Sequence, residues 1–124
     1  KILNFGHTVG HAVESALGHG TLRHGECVGI GMLAETAWAV DQGRCDPSVL
    51  SRMQKLMVDL GMCCAIPEVA PGALQKAITV DKKREGGTIE LAVPLRIGEV
   101  CLHRLPMFEV EKMLYRVPVA VEGK

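Results

Sequence analysis

Between Gly25 and Val40 the chain is apolar on nearly every side of a helix, with Cys27, Val28, Ile30, Met32, Leu33, Ala34, Ala37, Trp38 and Val40 leaving little that would face water. A helix of that kind belongs at the centre of its bundle, so the other segments are expected to pack around it. What they pack with follows from composition. Hydrophobic residues make up 48% of the chain and aromatic ones only 3%, so the core is aliphatic, with Leu, Val, Ala and six Met filling the spaces between helices. At 124 residues the chain is one domain's worth, enough to bury a core and short for a two-domain enzyme.

The flanking segments read as helices with clear punctuation. Lys1 to Phe5 is an extended entry, and Gly6 lets the backbone turn tightly into a helix from Thr8 to Leu17 whose apolar side is Val9, Ala12, Val13 and Ala16. Gly10 costs about 1 kcal/mol inside that helix, so something must approach closely there, either a bound substrate or a tightly packed neighbouring helix. Gly18-His19-Gly20 forms a turn with His19 exposed. Gly43 ends the central helix, and Asp46 caps the next with Pro47 at its first position. Leu50, Met53, Leu56, Met57 and Leu60 recur at helical intervals until Gly61 and read as core.

Pro67 and Pro71 bracket a connector to a short helix from Ala73 to Val80, and the charged run Asp81 to Gly87 reads as a turn. Thr88 to Leu95 alternates Ile89, Leu91, Val93 and Leu95, and Val100 to Leu105 follows after Arg96-Ile97-Gly98-Glu99, the pattern of a hairpin. A last helix spans Phe108 to Tyr115, and the tail from Pro118 to Lys124 is expected to be loose. The fold class is therefore mainly α with one small β-hairpin. It forms a single domain divided into residues 1–45, a helical pair at 46–80, a lysine loop and hairpin at 81–105, and a terminal helix and tail at 106–124.

Several function classes are disfavoured. Basic and acidic residues balance at 14 against 14, with no basic stripe or stacking aromatics to suggest nucleic acid or an acidic membrane surface. No apolar run reaches the roughly 20 residues that span a bilayer. Five cysteines (Cys27, Cys45, Cys63, Cys64 and Cys101) are odd in number and lack zinc-ribbon spacing, so a disulfide framework is not expected and a reducing cytoplasm is.

The chemistry lies in the histidines, four of which fall in the first 24 residues. His7 and His11 are four apart and share a helix face. His24 can add a third nitrogen from the next element. A single helical histidine is usually structural or solvent-facing, but a group at this spacing suits a divalent metal. An open catalytic metal site needs three protein ligands, so two histidines and a carboxylate from elsewhere would suffice, and spacing does not say which two. Glu26 stands at the positive end of the central helix, where a carboxylate caps the turn. Asp81-Lys82-Lys83 would ordinarily be a solvated loop.

The run Leu3-Asn4-Phe5-Gly6-His7-Thr8-Val9-Gly10-His11-Ala12-Val13-Glu14, then His24-Gly25-Glu26, then Asp81-Lys82-Lys83 ahead of a hairpin, closely resembles the 3-dehydroquinate synthases along nearly the whole chain. The resemblance is to that family's C-terminal, mostly helical domain. It implies that the N-terminal domain, which in the family binds NAD and supplies a metal-binding glutamate, lies outside these residues, and that the chain is a fragment expected to be inactive alone. By motif, His7 and His24 match the family's metal ligands, His11 a catalytic histidine that contacts substrate, and Asn4 and Lys82 substrate-binding residues, with Lys82 at the phosphate. No NAD-binding residue is carried over to this chain.

The resemblance further implies NAD and a divalent metal, zinc with cobalt as the alternative, in the complete enzyme. The reaction would be the shikimate-pathway conversion of 3-deoxy-D-arabino-heptulosonate 7-phosphate to 3-dehydroquinate plus phosphate, by a cytoplasmic carbon-oxygen lyase expected to be a homodimer. Competing readings are another sugar-phosphate cyclase, a metal-dependent glycerol-type dehydrogenase, and a non-catalytic helical fragment that self-associates through its apolar surface.

Overall fold

The computed structural model describes residues 5–18, 20–85 and 88–120, with side-chain surroundings described outside 80–90 and 100. In chain order the elements are α1 (His7–Leu17), α2 (His24–Asp41), α3 (Pro47–Asp59), α4 (Ala73–Glu85), β1 (Thr88–Arg96), β2 (Glu99–Pro106) and α5 (Met107–Leu114). Helix α2 is the hub, packing against α1, α3, α5 and β1. From Ile30 to Ala39 every residue but Met32 is buried, as its all-round apolar sequence requires. The core runs from Val9 and Val13 through Ile30, Ala34 and Trp38 to Ile78, Val93, Val110 and Met113.

Helices α1 and α2 approach closely, and glycines make the contact. A Cβ placed on Gly10 would lie 3.0 Å from both the Cys27 carbonyl oxygen and the Val28 Cα, and one on Gly31 would collide with the Gly6 carbonyl and come within 2.6 Å of the Gly10 nitrogen. Helix packing therefore accounts for the Gly10 that costs α1 propensity. Gly6 takes φ +84°, the left-handed turn that starts α1.

At the other helix ends, Asp46 caps α3 by accepting from the Ser48 N–H at 2.9 Å. The C-terminal end of α2 is held by a polar cluster. Trp38 Nε1–H donates to Glu109 at 3.1 Å, and the Arg44 guanidinium lies over the Trp38 ring. Arg44 also lies 3.0 Å from His103 Nδ1, which must accept from it, so the imidazole proton sits on Nε2. Burial, and then Arg44, hold the His103 pKa below its ordinary value.

Strands β1 and β2 form an antiparallel hairpin with Leu91 opposite His103 and Val93 opposite Cys101, and the register shifts between Pro94 and Arg96. Leu91, Ala92 and Val93 are all buried, so side chains on both faces of β1 are covered instead of the one face that alternation predicts. The five cysteines are free thiols. Among the described residues no helix is long and apolar enough to cross a membrane.

Three expectations need correction. The charged segment expected as a turn is helical as far as Glu85, because Asp81-Lys82-Lys83-Arg84-Glu85 contains no helix breaker and Lys, Arg and Glu are good helix formers. The tail is tied down at its start: Ile66 N–H donates to the Pro118 carbonyl and Ala120 N–H to the Ile66 carbonyl, pairing Ile66 with Val119. The α3 stripe is only partly core. Met57 is buried, but Leu56 and Leu60 are 58% and 66% exposed, since among the described elements α3 packs chiefly on α2. The expected exposed turn at His19 lies outside the described residues.

Candidate metal centre

His7 is the first residue of α1 and His24 the first of α2. The glycine contact sets these two helix starts side by side. The rings of His7, His11 and His24 form a nearly equilateral group, with centroids 5.6, 5.9 and 6.0 Å apart. Three imidazoles from two helices thus occupy one patch, as the spacing of His7 and His11 requires for one pair and only the fold could supply for the third.

Two of the rings have a defined polarity. His24 Nδ1 lies 3.0 Å from Glu14 Oε1. A carboxylate can only accept, so Nδ1 carries the proton and the lone pair is left on Nε2. His7 Nδ1 faces the Phe5 carbonyl at 3.4 Å, a longer contact with the same polarity. Both therefore expose Nε2 as the nitrogen able to bind a metal. With a metal–nitrogen bond of about 2.1 Å, two imidazole centroids on one tetrahedral ion would be about 5.2 Å apart, so the 5.9 Å between His7 and His24 is within a small ring movement of joint ligation. The pair fits a divalent metal. Among the described residues no three His, Cys, Asp or Glu side chains are placed to hold one by themselves.

The surroundings of the pair are apolar. His7 and His24 sit at one end of a groove of about 400 Å³ walled by Met32, Met53, Leu56, Met57 and Leu60. Two carboxylates brace the starts of α1 and α2. Glu26 accepts from the Arg23 N–H at 3.1 Å and the Cys63 N–H at 3.0 Å, which lowers its pKa and pins the segment after α3 to the start of α2. Glu35 is fully buried and accepts from the Gly6 and Val9 N–H groups at 3.1 and 3.3 Å, satisfying two unpaired donors at the start of α1. Burial pushes its pKa up to about 8, against the lowering effect of those two N–H groups.

Of the residues expected at the site, His7, His11 and His24 come together. Asn4 lies outside the described residues, and Lys82 is in α4 with its side chain undescribed. Sequence reasoning missed Glu14 and Glu35. Glu14 could have been found, being three residues beyond His11 and two turns beyond His7 on the same helix face. Glu35 is a lone carboxylate in the most apolar helix, and such a residue needs a buried partner.

The fold is shared with solved synthase structures. A crystal structure of 2-deoxy-scyllo-inosose synthase, complexed with carbaglucose-6-phosphate, NAD+ and Co2+, superposes with TM-score 0.76 at 22% identity, covering 94% of this chain and 34% of that one. The 2-epi-5-epi-valiolone synthase of Streptomyces hygroscopicus, solved with NAD+ and Zn2+ bound, gives TM-score 0.75 at 26% identity, over 93% of this chain and 32% of its own. Residues 1–84 match the 3-dehydroquinate synthase C-terminal family, and the chain belongs to it. The 3-dehydroquinate synthase of Pelobacter propionicus is 39% identical over 79% of this chain and 27% of its own length. That of Enterococcus faecalis is 36% identical over 93% of the chain and 32% of its own. The chain thus spans about a third of the length of these relatives.

Proposed function

We propose that these residues are the C-terminal part of a 3-dehydroquinate synthase, a carbon-oxygen lyase that converts 3-deoxy-D-arabino-heptulosonate 7-phosphate to 3-dehydroquinate and inorganic phosphate. The observation that carries the reading is the convergence of the His7, His11 and His24 rings within 6.0 Å of one another, in a chain whose family match spans residues 1–84. In this reading His7 and His24 hold a divalent metal through Nε2, with the third ligand and the NAD site on a preceding region. A divalent metal held by His7 and His24 would supply polarisation of a substrate hydroxyl or carbonyl, and NAD would supply hydride exchange.

The chain's own residues then have separable tasks. His11, which is exposed, is open to contact with substrate and carries ring nitrogens able to take up or give a proton. Asn4 and Lys82, both inside the matched span, would bind substrate, with Lys82 neutralising its phosphate. The groove beside His7 and His24 offers an apolar surface next to the site.

The test is inorganic phosphate release from the heptulosonate phosphate by the protein at its full natural length, with NAD and zinc. Turnover should vanish with a chelator, return with zinc, and fall at least ~1000-fold in His7→Ala or His24→Ala. The 124 residues alone should give none. A zinc-loaded protein that releases no phosphate from this substrate overturns the assignment. The fold shared with other cyclases supports a second reading, a cyclase for a different sugar phosphate, and cyclisation of a hexose 6-phosphate in the same assay would favour it.

A further inference from the structure

We infer that Glu14 is the positioning residue of the metal centre: its carboxylate fixes the tautomer and direction of His24, so that Nε2 is the nitrogen offered to the metal. The inference rests on the reading of His24 as a ligand.

His24 stands at the end of a helix with its ring 55% exposed, while the Glu14 side chain is 24% exposed. An imidazole so placed would sample several rotamers and both tautomers, and ordering it would cost binding free energy. The 3.0 Å contact between Nδ1 and Glu14 Oε1 removes that freedom. A carboxylate on the distal nitrogen also raises the basicity of the ligating one.

The start of α2 does not need Glu14 for this purpose. Glu26 already accepts from the Arg23 N–H and ties in the Cys63 N–H. The two histidines are also oriented differently, His7 by a backbone carbonyl at 3.4 Å and His24 by a side chain. One substitution can therefore loosen one ligand and spare the other. Because Glu14 and His7 share α1, the same helix carries one ligand and the group that aims its partner.

The experiment uses the protein at its full natural length, stripped of metal and titrated with cobalt(II), following the ligand-field absorption, with affinity set by competition against a chelator. Glu14→Ala should weaken cobalt binding 10–100-fold, and Glu14→Gln by less, since its amide oxygen still accepts from Nδ1–H. Imidazole nitrogen shifts in the metal-free protein should show His24 protonated on Nδ1, and a mixture of tautomers in Glu14→Ala. Should that variant fail to fold, Glu14→Met, which keeps the apolar stem and removes the acceptor, is read in the same way. Cobalt affinity within twofold of the parent, or an unchanged His24 tautomer, overturns the inference. If His24→Ala itself leaves cobalt affinity unchanged, the reading of His24 as a ligand falls instead.

Discussion

Glu35 sits in the middle of the most apolar helix, fully buried, with its two oxygens on the Gly6 and Val9 N–H groups. It serves as the cap that Gly6, lacking a side chain, cannot provide for α1. Its pKa of about 8 in the fold, against an ordinary 4.5, means that between those values the native state holds a proton the unfolded chain has released. Stability is therefore full below about pH 4.5 and falls as pH rises towards 8, by up to ~1.4 kcal/mol per pH unit. Glu35→Gln keeps one acceptor and cannot titrate, so the parent should lose stability relative to the variant steadily from pH 5.5 to 8 in urea unfolding. Parallel curves for the two proteins would show that Glu35 does not titrate in this window.

At the scale of elements, the crossing of α1 and α2 sets the site. Gly31→Ala would drive a methyl group into the Gly6 carbonyl and the Gly10 nitrogen, which are backbone atoms and cannot rotate away. The expected cost is about 3 kcal/mol, the upper end of ordinary overpacking, with the three histidine rings moved apart. Thermal unfolding reads the first effect and loss of cobalt binding the second; a change below ~0.5 kcal/mol would mean the helices slide freely. Gly10 was legible as a place of close approach because it stands inside a helix. What approached it was not, since that depends on which residues of α2 face it. The ends of α1, α2 and α3 and the hairpin were legible because glycine, proline and alternation act locally. The extension of α4 to Glu85 was misread because a charged run is equally good as a helix surface and as a loop.

Taken whole, the molecule leaves an apolar flank open. Leu56 and Leu60 stand on the rim of the groove that begins at His7 and His24, and Val58 is 66% exposed beside them. Apolar surface of this kind favours association. The 124-residue chain should self-associate in a concentration-dependent way, and Leu56→Lys with Leu60→Lys should shift it towards monomer in light scattering without loss of helix content. A monomer at high concentration in the unsubstituted chain would remove this reading.

By itself the order of residues determined that a central helix exists, that His7 and His11 share a face, and where most helices stop. Those properties follow from periodicity and from residues that act on their own backbone. Tertiary structure alone decided that the His24 ring lies 5.9 Å from that of His7, that Glu14 meets the His24 ring and Glu35 the start of α1, and that the α3 stripe is half outside. These depend on how two helices meet, and that is settled by the fit of Gly6 and Gly10 against Gly31, contacts between residues more than twenty positions apart that no local pattern encodes.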